Sequence, residues 1–249
     1  MKVRALRAIS FVTLAALVVA CSDSTAPARQ PADLGEVLAE MSVPSVAASL
    51  VPGVSATPSA SAPAPSSCSY NAGTQRFNCP TVTVSGVTFT RWFMLLDATG
   101  TPQSQFDAAT TDAVHMNSSL LGMAANGTSV AIAGNEDLTL SGLRSGVHTL
   151  AGTSLVNVNG TDPRTGLPFI LSVSTTVNDL VLPDSRGDKW PKSGSVTIDA
   201  THAMAGTTTT SHLSATFNGT SKVAVSLTSG GITVSCTVDL ASQNPACGG

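Results

Sequence analysis

Apolar and polar residues alternate along most of the chain beyond residue 68. A period of two is typical of β-strands that bury one face, because successive side chains point to opposite sides of the sheet. The segment 167–177 shows it clearly, with apolar residues of one parity at Leu167, Phe169, Leu171, Val173 and Val177. Short stretches rich in Gly and Asn separate such segments, so consecutive strands are expected to pair as antiparallel hairpins.

The alternating segments predict an all-β domain of about nine or ten strands. Because nearly every connection is short enough for a hairpin, the pattern favours an antiparallel meander that forms a curved sheet or open barrel. A β-sandwich is the alternative.

One predicted strand, Val87–Asp97, is apolar on both faces. Such a strand has to be covered on both sides. Its second apolar stripe is therefore expected either to belong to the core or to line a ligand site, and it consists of Trp92, Met94 and Leu96.

The turns allow the strand register to be predicted. Asn126 and Gly127 suit a two-residue turn, which would place Met123 opposite Val130. Between the apolar segments that end at Phe217 and begin at Val223, a two-residue turn would put the two apolar sets on opposite faces. An odd-length connection or a β-bulge is therefore expected there.

The following turn, around Ser229 and Gly230, is expected to pair Val225 with Val234. Between the preceding strands, Met204 and Leu213 are both candidate core residues. If they share a face, His202 and His212 point to opposite sides of the sheet, which argues against a joint metal site.

The amino terminus carries three cations followed by the uncharged apolar run 8–20. This run is too short to span a bilayer but has the length of a signal-peptide core. It ends in Val18-Val19-Ala20-Cys21, which resembles the lipobox of bacterial lipoproteins. The resemblance implies cleavage before Cys21 and a lipid on that residue, and Ser22 after it implies outer-membrane sorting. A plain secretory signal is the alternative.

Beyond Cys21 the chain holds four cysteines, an even number that is typical of disulfides in an oxidising compartment. Four cysteines allow three connectivities, and the spacing favours Cys68 with Cys79 and Cys236 with Cys247. A two-residue turn at Gly73 and Thr74 would place the first pair directly opposite each other. A zinc site is disfavoured, since neither interval contains CxxC spacing or a histidine.

These features divide the chain into three parts. Residues 1–20 form the signal peptide, residues 21–67 a lipid-anchored tether rich in Ala, Ser and Pro, and residues 68–249 the all-β domain. Within the tether, a short amphipathic helix is predicted near 33–41, with Leu34, Val37, Leu38 and Met41 on one face.

Charge and motifs exclude several classes of function. The net charge is −3, without a basic cluster, which disfavours nucleic-acid binding. The common nucleophile, zinc, phosphate and dinucleotide motifs are absent from the sequence, so we expect no cofactor, no metal and no catalytic activity. An unrecognised envelope enzyme would need residues from separate strands, such as Asp97, His115 or His148 with Asp179.

The sequence thus favours an exported, membrane-anchored lipoprotein with a structural or binding β domain. Its expected partners are the membrane, through Cys21, and a protein, glycan or apolar ligand. A carrier of lipid or lipoprotein that uses a concave sheet is one alternative, and an enzyme of the cell envelope is the other.

Overall fold

A computed structural model describes residues 67–125, 129–162, 165–183, 190–241 and 244–248. The predicted signal peptide, the tether up to residue 66 and the helix near 33–41 lie outside these residues. In the part of the chain that the structure describes, no helix is long and apolar enough to cross a membrane.

All the strands belong to one antiparallel sheet, and the described residues contain no α-helix. In chain order the strands are β1 (Ser69–Asn71), β2 (Arg76–Asn78), β3 (Val82–Val84), β4 (Val87–Asp97), β5 (Pro102–Gln103), β6 (Thr111–Ala125), β7 (Ser129–Ser141), β8 (Thr149–Thr161), β9 (Pro168–Val181), β10 (Ser193–Met204), β11 (Thr207–Thr216), β12 (Lys222–Ser229), β13 (Ile232–Asp239) and β14 (Asn244–Gly248).

The strand order follows the chain, as expected for a meander. The main path runs β1, β2, β4 and then β6 to β14 in sequence, while β3 and β5 pair with β4 beside this path. The sheet does not close, since β1 and β14 are the two ends of the path. It has 14 strands rather than nine or ten because β1, β2, β3, β5 and β14 are only two to five residues long, too short to show clear alternation.

One face of the sheet holds the core, and we call it the inner face. Phe93, Leu95 and Val114 are fully buried on it, and the same cluster extends across the sheet to Val223 and Val238. A smaller cluster on the same face consists of Val87, Val130, Ile132, Val156 and Val158. The outer face is the opposite one, and Thr, Ser and Asn predominate there.

The register between β6 and β7 corrects one prediction. Met123 lies opposite Ala131 rather than Val130, because three residues and not two separate the strands. Val130 therefore faces the core, while Leu121 and Met123 lie on the outer face with 67% and 51% of their surfaces exposed. The sequence could not decide between these registers, since β6 carries apolar residues on both faces.

A close backbone approach explains why β6 takes this register. Gly122 lies opposite Val87, and a Cβ atom at Gly122 would come within 2.1 Å of the carbonyl oxygen of Gly86. A side chain on the inner face at this point would therefore collide with the neighbouring backbone. Only glycine fits the site, which fixes the parity of β6 against β4.

The predictions near the carboxyl terminus have mixed outcomes. Ala215 pairs with Val225, so the connection between β11 and β12 keeps odd residues opposite odd residues, as predicted. Val225 pairs with Cys236 rather than Val234, a shift of two residues that leaves the predicted face unchanged. The turn lies at Gly230 and Gly231, both at positive φ, one residue later than expected.

Candidate functional site

The predicted cysteine pairs lie in the first and last hairpins of the sheet path. Cys68 and Cys79 are at disulfide distance in the β1–β2 hairpin, and so are Cys236 and Cys247 across β13 and β14. Cys68 and Cys79 lie opposite each other in the predicted register. The connection between the two strands has four residues instead of the predicted two. Asn71 closes this turn by accepting hydrogen bonds from the backbone N–H groups of Gly73 and Thr74.

The stripe of Trp92, Met94 and Leu96 lies on the outer face. Phe93 and Leu95, which alternate with it, point into the core. All three stripe residues are partly buried, and Trp92 belongs to a group of polar side chains on that face.

This group, the outer-face cluster, comprises Arg76, Trp92, His115, Asn117 and Asp137. The Cζ atom of Arg76 lies 4.9 Å from the centre of the Trp92 ring, a cation–π distance. The rings of Trp92 and His115 meet edge to face with centroids 5.3 Å apart. Asp137 accepts a hydrogen bond of 2.8 Å from His115 Nε2 and one of 3.3 Å from Asn117 Nδ2.

One donor in the outer-face cluster has no acceptor among the residues that the structure describes. The Nε atom of Arg76 is buried and finds no hydrogen-bond partner within the described residues. A buried donor left unpaired costs stability, and such groups are uncommon in folded proteins. The unpaired donor of Arg76 is therefore expected to lower the stability of the cluster.

The remaining histidines do not join this cluster. His212 Nδ1 lies 2.7 Å from Asp199 Oδ1 on the outer face, whereas His202 lies on the inner face near Phe169. The prediction that His202 and His212 point to opposite sides is confirmed. No group of three metal-ligating side chains occurs in the described ranges.

The residues named for an unrecognised enzyme are spread over the sheet. Asp97 ends β4, where its carboxylate accepts hydrogen bonds from Thr99 and Thr101. Asp179 lies on β9, four strands further along the sheet path, and His148 immediately precedes β8. The sheet does not place these side chains and His115 in one site.

The inner face contains a polar cluster of its own. Arg91, Ser118 and Glu136 occupy one row across β4, β6 and β7. The Ser118 hydroxyl donates a 2.9 Å hydrogen bond to Glu136. Burial raises the pKa of Glu136, against the opposing effects of Ser118 and Arg91, and burial lowers the pKa of Arg91.

The contributions of Glu136 and Asp97 to the stability of the fold are expected to change with pH in opposite directions. Because the folded chain raises the pKa of Glu136, the free energy of unfolding should fall as pH rises above the usual glutamate value of about 4.3. Hydrogen bonds from the Thr99 side chain and the Thr101 backbone lower the pKa of Asp97, so its contribution is present above its usual value and lost in acid.

Urea unfolding between about pH 3 and 8 tests this pair. Glu136→Gln should remove the decline of stability above the usual glutamate pKa, and Asp97→Asn should remove part of the loss in acid. An unchanged pH profile in Glu136→Gln would contradict the raised pKa.

A continuous row of hydroxyls extends from the outer-face cluster. The row of Trp92, Asn117 and Asp137 continues strand by strand through Thr153, Thr176, Thr197, Ser214, Ser226 and Ser235. We call these last six residues the hydroxyl row. They cross six consecutive strands, from β8 to β13.

Sequence reasoning missed Arg76, Asn117, Asp137 and the hydroxyl row. Each residue is unremarkable alone, and only the register brings it beside its neighbours. One signal was present, since Thr and Ser recur at the solvent-facing parity of several successive segments.

The chain matches no protein-family model, no curated protein and no solved structure.

Proposed function

We propose that this chain is an exported lipoprotein of the outer membrane, anchored through a lipid on Cys21, whose β domain is a binding module without catalytic activity. The observation that carries the proposal is the pairing of all four cysteines of the β domain at disulfide distance. Disulfides persist outside the reducing cytosol, which fits the lipobox-like motif and the cationic start of the sequence.

The shape we infer for the domain is an open barrel. Phe93, Leu95 and Val223 lie on one face of the sheet, and each has 0% of its surface exposed. The described residues hold no α-helix to cover that face. A sheet that curls over its own inner face would bury these residues and leave the outer face for a partner.

Metabolic labelling tests the anchor. The wild-type protein should incorporate radiolabelled palmitate, and globomycin should cause the unprocessed precursor to accumulate. Cys21→Ser should abolish labelling, whereas Cys21 should remain the labelled residue when Cys236 and Cys247 are both changed to serine. Labelling that survives in Cys21→Ser would refute the proposed anchor.

A lipid carrier is the second candidate, and one observation favours it. Beside the smaller apolar cluster, the inner face carries Phe89, Leu120, Phe169 and Leu171, all only partly buried. Arg91 lies two residues along β4 from Phe89, on the same face. An apolar surface next to a cation suits an anionic amphiphile.

Native mass spectrometry of the purified mature protein separates the two candidates. A carrier should retain a lipid in addition to the covalent one on Cys21, and Leu120→Glu should release it. A wild-type mass equal to that of the acylated chain alone would exclude the carrier.

A further inference from the structure

The six side chains of the hydroxyl row lie side by side but form no hydrogen bonds with one another. In the described part of the chain, none of its six side chains forms a hydrogen bond with another side chain or with the backbone. Hydroxyls elsewhere on the outer face do pair, such as Thr90 with Ser119 at 2.6 Å and Thr228 with Thr233 at 2.8 Å. The six hydroxyls therefore remain available to a partner from outside.

The charge around the row restricts that partner. The row has no charged member, and its charged neighbours on the outer face are the carboxylates of Asp137 and Asp199. Each of these is hydrogen-bonded to a histidine, His115 or His212. A polyanion would find no cation along the row, and a polycation would meet carboxylates that already have partners.

The chemistry of the row matches a partner that is itself rich in hydroxyls. A hydroxyl both donates and accepts a hydrogen bond, so two facing arrays of hydroxyls can satisfy each other whichever way the protons point. Neighbouring strands place successive members of the row about 4.8 Å apart. This spacing is close to the length of one sugar ring in an extended polysaccharide.

The outer-face cluster, which continues the row from β7 to β4, adds groups that suit a glycan. Trp92 offers an aromatic ring with a polar N–H group, and Asn117 and Asp137 offer amide and carboxylate groups. The guanidinium group of Arg76 lies against that ring, with its Cζ atom 4.9 Å from the ring centre.

We propose that the hydroxyl row, with the outer-face cluster at its end, binds an uncharged, extended polysaccharide laid across the strands. The inference rests on the proposed binding function and names its ligand class. The chain of sugars runs perpendicular to the strands, with its hydroxyls on those of the row and its terminal unit against Trp92.

Co-sedimentation with insoluble glycans tests the proposal on the full mature lipoprotein in mild detergent. The protein should sediment with cellulose and with chitin, and less with phosphocellulose, whose charge the row does not match. The triple variant Thr153→Val, Thr176→Val, Thr197→Val keeps the shape of the side chains and removes three hydroxyls. Its affinity for cellulose should fall at least about tenfold, given the usual contribution of a hydrogen bond.

The matched control is Thr207→Val with Thr209→Val. Both threonines are exposed on the inner face of β11, so this variant should bind as the wild type does. A second variant, Ser214→Ala with Ser226→Ala, removes two hydroxyls of the row without adding bulk, and it should also bind more weakly. Circular dichroism on each sample verifies the sheet.

Three results would overturn the proposal: no sedimentation of the wild type with either neutral glycan, unchanged affinity in both row variants, or stronger binding to phosphocellulose. Palmitate labelling of the same samples keeps the two proposals distinguishable. A labelled protein that binds no glycan would refute the ligand class and leave the anchored lipoprotein in place.

Discussion

Leu95→Ala is expected to lower the free energy of unfolding by about 2–5 kcal/mol, the usual loss when a buried leucine is truncated. Leu95 has 0% of its surface exposed and lies opposite Val114, which is equally buried. Truncation removes apolar contacts and leaves a cavity that rigid β-strands on either side cannot fill. Urea unfolding of the purified variant measures the loss.

The neighbouring residue supplies the matched control. Leu96 is the next leucine along β4 but lies on the outer face and is only partly buried. Leu96→Ala should therefore cost clearly less than Leu95→Ala. Equal losses in the two variants would show that the outer face of β4 is covered as completely as the inner one.

Removing either disulfide is expected to lower the free energy of unfolding by about 3 kcal/mol, because each closes a short loop and restricts the unfolded chain. Both bridges have a sequence separation of 11, so loop entropy alone predicts equal losses. Cys68 and Cys79 also pack against the main core. The loss should therefore be larger for Cys68→Ser with Cys79→Ser than for Cys236→Ser with Cys247→Ser.

Unfolding of the two double variants and the wild type, with and without dithiothreitol, measures these effects. Reductant should destabilise the wild type and leave a variant that lacks both bridges unaffected. If reductant changes nothing in the wild type, the cysteines are not bonded in the native protein.

Much of the architecture could be predicted from alternation alone. The predicted strand at Val87–Asp97 coincides with β4, and the long strands from β7 to β13 arise from segments with clearer apolar parity. Alternation works here because one face of every long strand contributes to a common core. The short strands could not be predicted in this way, because two to five residues are too few to show an alternating pattern.

Register was harder, for a physical reason visible in β6. Its residues Val114, Met116 and Leu120 are apolar at one parity, and Leu121 and Met123 are apolar at the other. Burial energy alone does not choose between the two, so the choice depends on a close contact between the backbones at Gly122 and Gly86. A contact of that kind leaves no trace in a hydropathy pattern.

The candidate site depends wholly on such registers. Trp92 was singled out from its own strand, but its relations to His115, Asn117 and Asp137 come from two successive pairings. The hydroxyl row depends on six strands lying in step. A register error of one residue at any turn would place part of the row on the opposite face of the sheet.

The simple order of the strands has a consequence for how the protein matures. From β7 onward, each strand hydrogen-bonds to the one synthesised just before it, so each of these steps of assembly closes only a short loop. A chain that is synthesised from its amino terminus can therefore add strands to a growing sheet as they are made. Among the described strands, β13 and β14 are the last to be synthesised, so the bridge between Cys236 and Cys247 forms after the rest of the sheet has been made.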